Sequence, residues 1–207
     1  PCRWEYNLIE KSRPGEFFKI EEDERGSYFF NSKDLNLIKR IPQIKKAGID
    51  SIKIEGRMKS LYYVATVIRA YRTAIEAGIN TVSINTQEEL NKVSHRYYSE
   101  AFFDKFDSSK TQYYGSSSYI RDYQFVGEVQ KIEGSSAFIS IKAKFCVGDE
   151  IEFIFPDSKD DFKITVKDIF NEENKLIQST KPNTIIRLDL DKKLSKWGIV
   201  RKKNIEE

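Results

Sequence analysis

The chain has 207 residues, room for one large domain or two of about 100, and 39% of them are hydrophobic, enough to build a core in each. Thirty-five basic and 32 acidic residues leave a net charge of +3, which does not separate a nucleic-acid binder from an ordinary globular protein. Cys2 and Cys146 lie too far apart in sequence for a local CxxC pair and form no disulfide framework, which fits a reducing cytoplasm; no apolar run reaches the ~18 residues of a membrane span. The chain opens on Pro1-Cys2 without an initiator methionine and reads as a fragment of a longer protein.

Residues 2 to 9 alternate Cys2, Trp4, Tyr6 and Leu8 against Arg3, Glu5 and Asn7, the period of a half-buried strand. Phe17 to Glu22 and Ser27 to Asn31 flank Asp23-Glu24-Arg25-Gly26, which predicts a hairpin. Ser32 or Asp34 caps a short helix carrying Leu35 and Ile38; Pro42 restarts it as a first-turn residue and Gly48 ends it. Ile49 to Glu55 then reads as a strand. Ser60 caps the next helix, with Leu61, Val64, Ala65, Ile68, Tyr71 and Ile75 at spacings of three and four, and Gly78 as the stop. Thr86 and Glu89 form a capping-box pattern ahead of a helix running to about Ser99.

From Asp107 to Ser118 the chain becomes rich in Ser, Tyr and Gly, which predicts a linker over 108–120 between one domain at 1–107 and another at 121–207. Beyond it, short runs read as strands at 125–132, 137–141, 150–155, 162–170, 176–179, 184–188 and 197–200, separated by turn signals and free of helical periodicity. This is the pattern of a compact antiparallel barrel or sandwich.

In the predicted strand 49–55, Ile52 and Ile54 face one way and Ser51, Lys53 and Glu55 the other. With helices flanking it, Lys53 and Glu55 point to the inside of an α/β barrel near a strand's carboxyl end, where barrel enzymes keep their chemistry. Gly56-Arg57-Met58-Lys59-Ser60 places two cations beside a helix amino terminus, suited to holding a carboxylate or phosphate. The competing reading is a Lys53–Glu55 salt bridge with Arg57 and Lys59 merely solvated.

The stretches "CRWEYN", "RPGEFF", "EDERGSYFFNSKDL", "SIKIEGRMKSLYYVA" and "HRYYSEAFF" occur in the order in which they resemble the collagenase-like peptidase family of unassigned catalytic type. The resemblance is closest to the branch that makes 5-hydroxyuridine at the wobble position of tRNA, and "KFCVGDEIEF" resembles that family's C-terminal β-barrel domain. The implied fold is α+β: the C-terminal remnant of a TIM-like α/β barrel domain followed by a small antiparallel β-barrel domain. The implied activity is prephenate-dependent tRNA hydroxylation by an iron-sulfur enzyme. On that reading Glu55 and Arg57 are catalytic, Lys53, Lys59 and Tyr62 bind substrate, and the partners are tRNA and a small carboxylate co-substrate. Cys2, in the position of the last cysteine of the family's cysteine-rich run, would ligate an iron-sulfur cluster in the complete protein. The alternatives are a collagenase-like peptidase and a non-catalytic RNA- or protein-binding module.

His95, the one histidine, reads as a packing or hydrogen-bonding residue rather than a catalytic base, and Cys146 as a small buried apolar residue. Tyr62, Tyr63, Tyr71, Tyr97, Tyr98, Tyr113 and Tyr114 accompany many cations, a combination that stacks on RNA or packs in a core rim. The basic tail "KKLSKWGIVRKK" reads as an exposed last strand or as a phosphate-binding face. The isolated 207-residue chain is expected to be inactive, its incomplete barrel either associating with another copy through its apolar surface or staying loosely ordered while the β-domain folds alone.

Overall fold

The computed structural model describes residues 7–9, 11, 14, 17–19, 21–23, 26–28, 33–77, 84–104, 119–192 and 194–204. The chain forms two compact units, Pro1–Leu37 with His95–Ile120, and Ile38–Ser94 with Arg121–Glu207.

In the first unit β1 (Asn7–Ile9) pairs antiparallel with β2 (Phe17–Lys19), and β3 (Glu21–Asp23) with β4 (Gly26–Tyr28). The hairpin predicted around Asp23–Gly26 is this second pair, with Asp23 opposite Gly26. Asp34 does not cap a helix. Residues Asp34–Leu35 form β5, in parallel with β6 (Tyr98–Ser99), and the Asp34 carboxylate accepts the Arg96 backbone N–H at 3.0 Å and its guanidinium at 3.0 and 2.8 Å. A carboxylate committed to Arg96 leaves nothing to cap a helix, so the chain stays extended. The predicted helix therefore ends before Ser99, and its last residues supply β6 instead. His95 is buried, donates from Nδ1 to the Arg96 carbonyl at 2.6 Å and stacks on Tyr98 at 4.3 Å, in keeping with a packing role. Most of the predicted 108–120 linker lies outside the described residues.

The second unit begins with α1 (Ile41–Lys46), which has Pro42 in its first turn, and Gly48 follows with φ +75°, a conformation that suits glycine at a helix end. Helix α2 (Leu61–Glu76) starts where Ser60 predicts it: the Ser60 Oγ accepts the Tyr63 N–H at 3.2 Å. Its buried stripe is Tyr62, Thr66, Val67, Ala70 and Ala74. The Lys45 ammonium donates to the Ile75 carbonyl at 2.9 Å near the helix end, satisfying an otherwise orphaned acceptor. Helix α3 (Ile84–Asn91) contains Thr86 and Glu89 in its body rather than at a capping box, and it stops at Asn91, short of the predicted end.

The TIM-like barrel remnant is not shown. Residues 49–57 form no strand, and Ile49 and Ile52 are exposed. An extended segment with no neighbour to exchange backbone hydrogen bonds with is not stable as a strand. Among the described residues, parallel pairing is confined to the two residues of β5 and β6.

The β-rich half follows the sequence pattern closely. Its strands are β7 (Tyr123–Glu133), β8 (Ser136–Ile141), β9 (Glu150–Ile154), β10 (Phe162–Thr165), β11 (Ile169–Phe170), β12 (Leu176–Ile177), β13 (Ile185–Asp189) and β14 (Ile199–Lys203). The run predicted at 162–170 is two strands, split at residues 166–168. All pair antiparallel in one curled sheet, in the order β10-β9-β14-β7-β8-β13-β11-β12. Alternating residues of β8 (Ala137, Ile139, Ile141) and β13 (Ile186, Leu188) point into a core with Val126, Phe145, Ile151, Phe153, Ile169 and Val200. The last strand is not an exposed edge: β14 lies between β9 and β7, and Arg201 within it is 1% exposed.

A guanidinium buried that far needs charge partners. Arg201 donates from Nε to Glu152 at 2.7 Å and from Nη1 and Nη2 to the two oxygens of Glu89, each at 2.9 Å. Glu89 also accepts Arg69 at 2.8 Å and Lys92 at 2.8 Å, while Arg69 reaches Asp161 at 2.7 Å and the Phe155 carbonyl at 2.9 Å. Lys163 completes the set on Glu152 at 2.7 Å. Burial opposes ionisation of Glu89, yet the hydrogen bonds and charges of Arg201 and Lys92 outweigh it and lower its carboxyl from 4.5 to about 2. Burial likewise opposes charge on Glu152, and Lys163 and Arg201 lower it; for Asp161 burial prevails and the carboxyl is raised.

Groups with folded pKa values below their unfolded ones stabilise the fold above the unfolded value and lose that contribution as pH falls through the folded one. Glu89 therefore contributes fully above 4.5 and progressively less toward about 2, whereas Asp161 contributes with the opposite slope. Glu89→Gln should cost ~3–5 kcal/mol in urea unfolding at neutral pH, because Arg201 is left buried and under-neutralised, and should flatten the acid limb of the stability profile. A loss below about 1 kcal/mol would show that the cluster is hydrated and weak.

Candidate functional site

The loop predicted to carry chemistry, 53–60, lies in the second unit ahead of α2. Glu55 is exposed, and its Oε1 accepts the Arg57 backbone N–H at 2.7 Å, a short carboxylate turn that sets the loop's course. The Lys59 N–H donates to the Gly56 carbonyl at 3.0 Å and closes the next turn, after which Ser60 caps the helix. The Lys59 ammonium sits 4.8 Å from the Tyr63 ring centroid. Lys53 and Arg57 are exposed, and Lys53 makes no salt bridge to Glu55. The loop thus offers cations to solvent beside the α2 amino terminus, where backbone N–H groups and the helix dipole favour an anion.

Tyr62 is placed differently from its four predicted companions. It is 3% exposed, donates its hydroxyl to the Lys92 carbonyl at 2.7 Å and stacks on Phe125 at 5.8 Å; burial raises its pKa well above the usual tyrosine value. Cys2 lies outside the described residues, and the described residues hold no group of three or more metal-ligating side chains. Cys146, half-buried, has its N–H on the Asp149 carboxylate at 2.7 Å. Two cysteines do not supply the four thiolates of a cluster, so the chain's own residues do not fit one.

The second feature is a groove of about 820 Å³ between the exposed side of α2 and the sheet. Leu61, Ala65 and Ile68 form one wall, Ile154, Phe155 and Pro156 the other, and Trp197 stands at the rim, 80% exposed. Arg72 and Glu76 pair with each other on the helix side, and Asp157, Ser158 and Lys159 form a turn on the sheet side.

Sequence reasoning missed Arg69, Glu89, Glu152, Arg201 and Trp197. Glu89 was hidden by a capping-box spacing it does not use. Arg201 was hidden in a basic tail, although the apolar Ile199-Val200 ahead of it is the signal of a buried strand. Ser60→Ala should remove the α2 cap and lower stability by about 1 kcal/mol, read by thermal unfolding; an unchanged midpoint would mean the helix start is held by other contacts.

Residues 1–113 match Peptidase family U32, and residues 121–201 match the Peptidase family U32 C-terminal domain. The chain is 34% identical over 209 residues to tRNA hydroxylation protein P1 of Bacillus subtilis (strain 168), covering 97% of this chain and 49% of that protein. It is 38% identical over 163 residues to tRNA hydroxylation protein P of Escherichia coli (strain K12), covering 77% of this chain and 36% of that one. A 79-residue stretch is 38% identical to a collagenase of Porphyromonas gingivalis (strain ATCC BAA-308 / W83), covering 38% of this chain and 18% of that protein. The chain spans half or less of the length of these curated relatives. Among solved structures, the C-terminal domain of a putative U32 peptidase from Geobacillus thermoleovorans matches at 24% identity with a TM-score of 0.36, covering 39% of this chain and 93% of that one.

Proposed function

Because this chain belongs to peptidase family U32, with both the family's main and C-terminal regions present, we propose that it is part of a tRNA-modifying enzyme that hydroxylates the wobble uridine to 5-hydroxyuridine. The observation that carries the reading is the match along 97% of the chain to a protein named for tRNA hydroxylation. The loop geometry supports a role in holding an anion. Arg57 and Lys53 are exposed beside a capped helix amino terminus, and Glu55 is turned back to brace the loop rather than spent on a lysine. A small carboxylate co-substrate such as prephenate, as hydroxyl source, suits that charge pattern.

In this reading Arg57 binds a carboxylate, Lys59 is steadied against Tyr63 beside it, and Glu55 keeps the Arg57 backbone in register. An iron-sulfur cluster in the complete enzyme would need thiolates from outside this chain besides Cys2. The protein is proposed to work in the cytoplasm, where tRNA is; no helix among the described residues is long and apolar enough to cross a membrane. The peptidase reading finds no support at His95, whose ring is buried against Tyr98 with Nδ1 on a backbone carbonyl and no serine or cysteine partner among the described residues.

The test is mass spectrometry of tRNA from cells whose only copy of the gene, at its natural length, carries Arg57→Ala. Loss of most 5-hydroxyuridine with a thermal midpoint unchanged to within the equivalent of ~0.5 kcal/mol is expected, since an exposed loop cation contributes little to stability. Wild-type levels of the modification would overturn the assignment of Arg57.

A further inference from the structure

Trp197 is an outlier twice over. It leaves 80% of a large apolar ring in water, and its φ of +67° lies in the left-handed region that bulky residues avoid. The conformation is imposed from both sides. The next residue, Gly198, gives its carbonyl to the Val129 N–H at 2.8 Å, and a Cβ there would meet Phe155 Cε1 at 2.7 Å and Val129 Cγ2 at 2.9 Å, so only glycine fits against the sheet. On the other side Ser195 donates its hydroxyl to Asp160, tying the loop to the 158–160 turn. The fold thus spends backbone strain to hold a tryptophan out over the groove, whose volume of about 820 Å³ is that of a small-ligand site.

The surrounding charges say what kind of ligand suits it. Lys192 and Lys196 lie on the Trp197 loop, with no carboxylate after Asp191, and Lys159 lies on the turn tied to it. Of the nearby carboxylates, Glu76 is paired with Arg72, Glu128 with Lys142 and Asp161 with Arg69, while Asp157 and Asp160 keep their charge and accept neutral donors, the Lys159 N–H at 3.0 Å and the Ser195 hydroxyl. Lys159 and Lys196 have no ion-pair partner among the described residues. A displayed indole over a largely apolar slot, Lys159 in the slot's lining and Lys196 next to the indole in sequence are elements of a single-stranded nucleic-acid site, in which a base stacks on the ring and the phosphate takes the cation.

We propose that Trp197 and the groove beneath it hold an unpaired RNA base, with Lys159 and Lys196 beside the flanking phosphates. This rests on the proposal that the enzyme acts on tRNA, and it adds a contact on the β-sheet side of the second unit, away from the 53–60 loop in sequence. It makes Trp197 a substrate-positioning residue, to be read in affinity rather than in turnover.

The chain contains two tryptophans, Trp4 and Trp197, so a Trp4→Phe background isolates the Trp197 signal. The full chain is titrated with an unstructured RNA oligonucleotide and with an RNA duplex, following fluorescence, and affinities are measured for Trp197→Leu and for Lys159→Glu with Lys196→Glu. Quenching by the single strand but not the duplex is expected. Trp197→Leu should weaken single-strand binding by about tenfold at unchanged urea stability, and the lysine pair should weaken it with a shallower salt dependence. RNA binding that leaves the fluorescence and the Trp197→Leu affinity unchanged would overturn this site while leaving the tRNA reading standing. Absence of any RNA binding would overturn the inference, with the Arg57→Ala modification assay deciding the tRNA reading separately. Concentration-dependent dimerisation abolished by Trp197→Leu would identify the groove as a contact between copies and equally overturn it.

Discussion

Arg201 is a permanent positive charge with 1% of its surface in water, and the second unit is arranged around neutralising it. Its partners come from different elements: Glu89 from α3, Glu152 from β9, and through Glu89 the guanidinium of Arg69 on α2, which continues to Asp161 after β9. Glu89 and Glu152 each serve more than one cation, so removing either leaves several without a partner. Hydrophobic burial alone would tolerate many placements of a helix on a sheet, because it is nearly non-directional. Fork-shaped guanidinium bonds at 2.7–2.9 Å tolerate few. Whether such a cluster adds stability over an apolar equivalent is a separate matter from the specificity it confers, and the geometry speaks to specificity.

Two consequences follow for function. With α2 held through Arg69 and Tyr62, its capped amino terminus and the 55–59 loop ahead of it have a fixed support, which an anion site made of backbone N–H groups and side-chain cations requires. The opposite, exposed side of α2, with Leu61 and Ile68, then becomes one wall of the groove beneath Trp197. The proposed co-substrate site and the proposed base-stacking site therefore share one helix, braced by an ionic cluster whose Arg69 also lines the groove.

What could be read from the sequence divides along physical lines. The antiparallel strands were legible because alternation and turn residues are local, and the helix at 61–76 because Ser60 and a three-four apolar spacing are local too. The strand expected at 49–55 failed because a strand exists only with a neighbour, and no neighbour is encoded in Ile52 or Ile54 themselves. Asp34 and Glu89 were misread for a shared reason: each sits at a spacing that a helix cap would use, but each is claimed by an arginine far along the chain, Arg96 and Arg201. Long-range pairing of charges leaves no periodic trace. The 53–60 loop was found through its motif resemblance and its charges, and the structure adds the Glu55 turn and the Ser60 cap. The Trp197 site was invisible because neither its strain nor the groove exists below the level of the folded sheet.

The central claim is that the ionic cluster makes α2, α3 and the sheet one cooperative body. Native-state hydrogen exchange across a series of denaturant concentrations tests it directly. The account predicts that the amides of α2 and of β14 exchange through the same opening, with a common free energy and a common denaturant dependence. Exchange of α2 through a separate opening of much lower free energy, with β14 still protected, would contradict it and show that the helices are only loosely laid on the sheet.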